Sequence, residues 1–274
     1  MNERIAQPAY DIPLLNQSAE RIACACPQQP TMCIIAGSGL ANAFEHATVI
    51  ARIPYHELPC LPQAGIAGHR NEVLITDIGG NVTVVFAGRF HVYEGYSPLL
   101  ITIPVALAAR LGVHALIATN AAGGLHTRLR VGDLVIADSI VNMTYRSLTS
   151  SARGNAIELC SPWRSRTIEH AIIRGLPIQE GTYVAVHGPS YETLAEVRFY
   201  RRVGDTIGMS TVHEIEAAAL LDLQPLVVSV VTNVLTDVPR RHPLTHHEVL
   251  AASQESGSRL RQLIEIAITT FDAR

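Results

Sequence analysis

Residues 97–124 limit the architecture more tightly than any other stretch, because they string a helix, a strand and a small-residue turn together with almost no slack. Ser97-Pro98 opens an apolar run that Gly112 closes, the order of a helix capped by serine, started by proline and stopped by glycine. Pro104 lies inside that run, and its missing N–H and ring clash predict a kink or a delayed helix start. Ala115-Leu116-Ile117-Ala118-Thr119 then reads as a buried strand, followed by Asn120-Ala121-Ala122-Gly123-Gly124 as a loop at its carboxyl end. At such a place an open α/β sheet exposes backbone amides to a ligand.

The same alternation recurs along the chain. A helix is expected from Ile12 to Cys24, and a buried strand from Met32 to Ala36 that runs into Gly37-Ser38-Gly39-Leu40. Two glycines there let backbone amides and the Ser38 hydroxyl come close to an anion. Strands are expected near Glu72–Thr76 and Val82–Phe86 around Gly79-Gly80-Asn81. The loop from Gln63 to Arg70 is glycine-rich and is expected to be mobile over a site. Gly132–Ala137 reads as a strand, and Asp138–Pro162 as a long irregular excursion. A helix near Arg164–Arg174 and a strand Gly181–Val186 come next, then a turn at His187–Thr193 that starts a helix toward Val203. Last come a helix near Glu214–Leu223, a strand Leu226–Thr232, and a final helix from Thr245 to Phe271. No repeat or composition break divides the chain. The expectation is a single α/β domain over residues 1–274, with a central mixed, mostly parallel β-sheet flanked by helices.

Composition excludes several chemistries. All 21 basic residues are arginine, so a Walker-type phosphate loop, a pyridoxal Schiff base and a lysine aldolase are ruled out. Any anion must be held by Arg, His, hydroxyls and backbone N–H groups. The arginines are dispersed and the net charge is −3, which argues against nucleic-acid binding. The five cysteines show no CxxC spacing, so neither a disulfide nor a metal site is expected. No apolar run approaches the length of a membrane span, and MNERIAQPAY has neither the basic nor the apolar region of a signal peptide, so a cytoplasmic protein is expected.

The polar clusters fall just past strand ends, where separate turns can build one site. In order, GSGL, GRFHVYEGY, TNAAGGL, GPSYETLAEVR, GMSTVHEIEAA and SVVTN resemble the purine nucleoside phosphorylases of the trimeric type, a scaffold shared with 5′-methylthioadenosine phosphorylases. The resemblance runs from about Met32 to Leu250. It implies cleavage of a purine nucleoside by inorganic phosphate as co-substrate, without a cofactor, giving free base and ribose 1-phosphate, by a homotrimer.

Residue by residue, the resemblance assigns phosphate to Ser38, His69, Arg89, His91, the amide of Ala121 and Ser210, with Glu94 orienting His91. It assigns Glu192 to purine N1–H and Asn233 to N7 and O6, with Tyr191 packing on the base and Ala122 and Gly123 lining the substrate site. Tyr93 and Met209 would line the sugar, and His246, or with the register moved by one His247, would meet the 5′-hydroxyl. Asn233, Glu192 and His91 would carry the catalysis. Asparagine rather than aspartate at 233 implies 6-oxopurines, inosine and guanosine, because an amide can both donate and accept. A histidine at the 5′ position implies a hydroxyl rather than a methylthio group.

The chain also departs from the family pattern. Residues 138–162 are shorter than the family excursion and contain no phenylalanine, His213 stands where proline is frequent, and the residues after His69 differ. These leave three competing functions: a methylthio-nucleoside phosphorylase, a nucleoside hydrolase, and a purine-binding module without turnover.

Overall fold

The computed structural model describes residues 10–44, 47–62, 70–148, 156–236 and 245–272. The amphipathic N-terminal segment forms α1 (Ile12–Ala23), capped by the Asp11 side chain, which accepts from the Leu14 amide. Ten strands follow among the described residues, all in one sheet. They are β1 (Met32–Ile35), β2 (Thr48–Pro54), β3 (Glu72–Ile78), β4 (Asn81–Phe86), β5 (Ala115–Gly124), β6 (Leu134–Met143), β7 (Ala156–Glu158), β8 (Gln179–Val186), β9 (Thr206–Gly208) and β10 (Gln224–Val234).

The sheet is mixed, in the order β10-β6-β8-β9-β5-β1-β4-β3-β2, with β7 on β6. Parallel ladders join β1 to β4 and β5, β5 to β10, and β8 to β6 and β9. Because β10 also pairs with β5, the strands β10, β6, β8, β9 and β5 close on themselves, which removes edges from that half of the sheet. The hairpin β3–β4 turns at Gly79-Gly80, both left-handed, where glycine carries no steric cost.

Helices cover both faces. On one side lie α1, α2 (Pro98–Ile101), α3 (Ile103–Arg110) and α6 (Val212–Leu220), over a core that includes Cys33, Ile35, Leu116 and Ala118. The opposite face buries Met32, Ile34 and Ile117 under α4 (Pro162–Ile173) and α8 (Gly257–Thr270). Alternate residues of β1 therefore serve two cores, the period-two geometry of a strand buried on both faces.

Several expectations are corrected. Residues 120–124 are not a loop: β5 stays extended through Gly124, because β10 pairs along its whole length and β9 pairs with Gly123 and Gly124. Nor is 138–162 a continuous excursion, since β6 runs on to Met143 and β7 covers Ala156–Glu158. A register shift between Ala137 and Ser139 bulges β6 at Asp138, whose carboxylate accepts from Ser139 Oγ at 2.8 Å and Thr182 Oγ1 at 3.1 Å. Paired polar groups inside a strand read as loop residues in sequence. The helix beginning at Pro98 breaks at Thr102, as Pro104 requires. The C-terminal helix is two helices, α7 (His246–Glu255) and α8, because Ser256 Oγ donates to Ala252 O at 3.0 Å and Gly257 is a poor helix former. The helix after His187–Thr193 is the shorter α5 (Leu194–Tyr200).

Trp163 ties α4 to α8: it is 1% exposed, its indole donates to Ala267 O at 2.7 Å, and it packs edge-on against Phe271. Trp163→Ala should lower stability by about 3–5 kcal/mol, the usual cost of emptying an aromatic core position, read as a lower urea midpoint in far-UV circular dichroism.

Candidate active site

A cavity of about 320 Å³ opens at the ends of several strands. Ser38 reaches it from the turn after β1, Arg89, His91 and Tyr93 from the segment after β4, and Ala121, Ala122 and Gly123 from β5 itself. Tyr191 and Glu192 come from the connection between β8 and α5, Met209 and Ser210 from the turn after β9, Asn233 from β10, and His246 from the start of α7. Every site residue expected from sequence lines this one cavity except His69, which lies outside the described residues. Sequence reasoning missed Gly37, Pro189, Ile207, Gly208, Thr232 and Val249 on its wall. His246 lines the cavity, whereas His247 is exposed and does not.

Read alone, Arg89 would be a surface ion pair; the structure makes it a buried one. Its side chain is 1% exposed and forks onto Glu214 of α6, Nε to Oε1 at 3.1 Å and Nη2 to Oε2 at 3.0 Å. Nη1 donates to Thr119 O at 2.8 Å, Ser210 Oγ at 3.1 Å and Thr211 Oγ1 at 3.2 Å. Burial pushes the Glu214 carboxyl up, and the Arg89 guanidinium opposes that shift. Arg89 therefore acts on the cavity through the hydroxyls it polarises, with its charge largely balanced behind it. Glu214 and Thr211 escaped the sequence reading. The one signal for Glu214 was its place in the first turn of a helix that turns wholly apolar after Glu216.

Ser210 is fixed from two further sides. Tyr183, fully buried in β8 with its phenol pushed up to about 12 by burial, donates to Ser210 O at 3.3 Å. Thr211 has φ +77° and ψ −45°, and the Val212 amide bonds to Ser210 O at 2.9 Å. That is a γ-turn in its rarer, strained form. Gly37 is required where it stands: a Cβ would sit 2.8 Å from Thr119 O.

His91 is held by Glu94, whose Oε2 lies 3.1 Å from Nδ1 and accepts the His91 amide at 2.8 Å, as expected of its orienting partner. The ring stacks on Tyr93 at 4.8 Å between centroids. Burial pulls the His91 imidazole below its usual value, against the raising effect of Glu94. The Glu192 carboxyl is raised by burial. On β10 a register shift between Val231 and Asn233 inserts Thr232 as an extra residue, so that Thr232 and Asn233 both reach the cavity. Thr232 Oγ1 donates to Asn233 Oδ1 at 3.1 Å, and Asn233 Nδ2 makes no hydrogen bond among the described residues. No group of three metal-ligating side chains occurs among the described residues, and no helix there is long and apolar enough to cross a membrane.

Residues 31–269 match the phosphorylase superfamily. The chain is 34% identical to purine nucleoside phosphorylase 1 of Bacillus subtilis (strain 168), covering 90% of this chain and 94% of that one. It is 37% identical to purine nucleoside phosphorylase of Mycobacterium leprae (strain TN), over 87% and 88% of the two chains. Among solved structures it resembles Schistosoma mansoni purine nucleoside phosphorylase in complex with adenosine, with a TM-score of 0.83, 28% identity, and coverage of 96% of this chain and 99% of that chain.

Two outcomes follow from the buried charges. Glu214→Ala leaves the Arg89 cation without its counter-charge and should cost about 3–5 kcal/mol in urea unfolding. His91 and His213 are both held below the ordinary histidine value, by burial first. Between their lowered folded values and about 6.5 the unfolded chain binds more protons. Their contribution is therefore present above that range and lost as pH falls through it. His213 Nε2 lies 3.2 Å from Arg146 O, a contact that glutamine can also make. The midpoint of thermal unfolding should fall between pH 7 and pH 5, and by less in His213→Gln.

Proposed function

The chain belongs to the phosphorylase superfamily as an enzyme of the purine nucleoside phosphorylase type, and from that premise we propose that it phosphorolyses 6-oxopurine nucleosides, inosine, guanosine and their deoxy forms. Inorganic phosphate is the co-substrate, no cofactor takes part, and the products are purine and (deoxy)ribose 1-phosphate. The observation that carries this reading is the convergence, in one cavity of about 320 Å³, of an anion-holding set and a base-holding set. The volume suits a small ligand.

In this reading phosphate lies against Ser38, His91, the Ala121 amide and Ser210, with Arg89 behind them and His69 completing the set. Without lysine, the anion is held by charge-assisted and polarised donors rather than by an ammonium ion. The sugar passes between Tyr93, Met209 and His246. As the glycosidic bond breaks, positive charge gathers on the ribose, by analogy with other glycosyl transfers, and the phosphate faces it. The departing electron pair is stabilised through the purine ring by Asn233 and Glu192. Catalysis rests on Asn233, Glu192 and His91, with Tyr191, Ala122 and Gly123 shaping the base site.

Support for a 6-oxopurine comes from the Thr232–Asn233 contact. With Oδ1 already accepting from Thr232, Asn233 presents Nδ2 as a donor, which suits the N7 and O6 acceptors of hypoxanthine and guanine. A second reading is favoured by the Schistosoma mansoni relative, whose complex holds adenosine. A homotrimer fits the large exposed aromatics Tyr145 and Phe199. The five free thiols suit the reducing cytoplasm.

Inosine, guanosine, adenosine and methylthioadenosine assayed with and without phosphate test the reading. Inosine and guanosine should turn over only with phosphate, and turnover that ignores phosphate would instead indicate a hydrolase. Asn233→Ala should lower inosine cleavage about 10²-fold or more, and Asn233→Asp should shift preference toward 6-aminopurines.

A further inference from the structure

We propose that Thr211 is a positioning residue that forces the Ser210 hydroxyl to act only as a donor into the cavity, so that the anion is met by a hydrogen that is already aimed. The inference rests on the phosphate assignment above and concerns a side chain that touches no ligand. Thr211 is 2% exposed and lies behind the cavity wall.

Lone pairs and protons around the two hydroxyls leave one arrangement. One Arg89 Nη1 hydrogen is taken by Thr119 O at 2.8 Å, and the other is shared between Ser210 Oγ at 3.1 Å and Thr211 Oγ1 at 3.2 Å. Thr211 Oγ1 also accepts from Asn120 Nδ2 at 3.0 Å. A hydroxyl has two acceptor positions and one proton. With both positions of Thr211 filled by Arg89 and Asn120, its proton must leave as a donor. Its remaining partner among the described residues is Ser210 Oγ, 3.2 Å away. Ser210 Oγ then accepts from Arg89 and from Thr211, which fills both of its own positions. Its proton has one direction left, into the cavity it lines.

The arrangement does two things. It makes Ser210 pay no rotamer search when an anion arrives, and it polarises the O–H through a chain of donors that begins at a guanidinium. It also explains why the backbone is strained at Thr211: the γ-turn with φ +77° places adjacent hydroxyls 3.2 Å apart and within reach of the same arginine nitrogen. Strain of this kind persists where the surroundings over-determine it. Asn120 is 1% exposed and its Oδ1 has no hydrogen bond, so its amide serves this contact alone.

The test is a double-mutant cycle in steady-state kinetics with inosine. Ser210→Ala and Thr211→Val should each raise KM for phosphate about tenfold, the usual order for one hydrogen bond to a charged group, with KM for inosine changed less than twofold. In the double variant the second substitution should add less than twofold, because the relay has a single end point. Thr211→Ser keeps the hydroxyl and should restore the parent KM for phosphate. Multiplicative effects in the double variant, or a Thr211→Ser enzyme as impaired as Thr211→Val, would overturn the relay while leaving the phosphate assignment intact. An unchanged KM for phosphate in Ser210→Ala would overturn both. Should Thr211→Val fail to fold, Asn120→Asp reads the same relay. The carboxylate would draw the Thr211 proton away from Ser210, and KM for phosphate should rise as in Ser210→Ala.

Discussion

A guanidinium and a carboxylate, both out of water, hold the cavity end of this molecule together. Arg89 stands just past β4, yet it bonds to Glu214 on α6, to Thr119 O on β5 and to the two hydroxyls after β9. Three segments far apart in sequence, around Arg89, Thr119 and residues 210–214, thereby meet at one planar group. Desolvating such a pair costs several kcal/mol per ion, and an apolar replacement of equal volume can be as stable. Stability alone does not account for it. Geometry does, because a planar fork whose nitrogens are all engaged fixes the two hydroxyls after β9 in one orientation, and Ser210 stands at the cavity wall.

The closed ring of strands has the same logic at a larger scale. Because β10 pairs with both β5 and β6, the carboxyl-terminal ends of β5 and β10 lie side by side, with Gly123 opposite Asn233. A Cβ on Gly123 would lie 3.2 Å from Asn233 Nδ2 and 3.2 Å from Leu235. The smallness of Ala121-Ala122-Gly123-Gly124 is thus a packing requirement of two strands that run deep into the site, rather than the flexibility of a loop.

That distinction marks how far the sequence was legible. Aliphatic runs such as Met32–Ile35 and Leu226–Val231 declare themselves as strands because both faces are buried. The motif residues declare themselves because Ser38, Arg89, His91, Ser210 and Asn233 each follow or close such a run. Illegible were the features whose signal is a partner far along the chain. Asp138 and Ser139 look like loop residues until Thr182 is set opposite them. Thr232 looks like one more strand residue until the register slips and turns Asn233 inward. Glu214 and Thr211 look like an ordinary helix start until Arg89 arrives from 125 and 122 residues away. A pattern in sequence reports burial and turns; it does not report which distant donor fills which lone pair.

The absence of lysine sharpens the point. A chain that uses arginine for every cation gains a planar fork wherever it buries a positive charge, and the structure uses that fork repeatedly to collect strand-end carbonyls. Arg164 donates to Ala137 O and Ile136 O beside the bulge in β6, and its outer nitrogen reaches Glu180. Arg201 bridges Leu125 O, just past β5, and Leu235 O, just past β10, at 2.6 Å each. Arg89 takes Thr119 O in the same way. Arg164 and Arg201 sit where a strand bulges or ends, and Arg89 takes a carbonyl from within β5. An ammonium ion could neutralise such a place but could not span two carbonyls with fixed geometry. The rim that holds the cavity and the devices beside the strand ends are therefore built with one kind of side chain, and the candidate site is the place where one of those forks donates to a hydroxyl that lines the cavity.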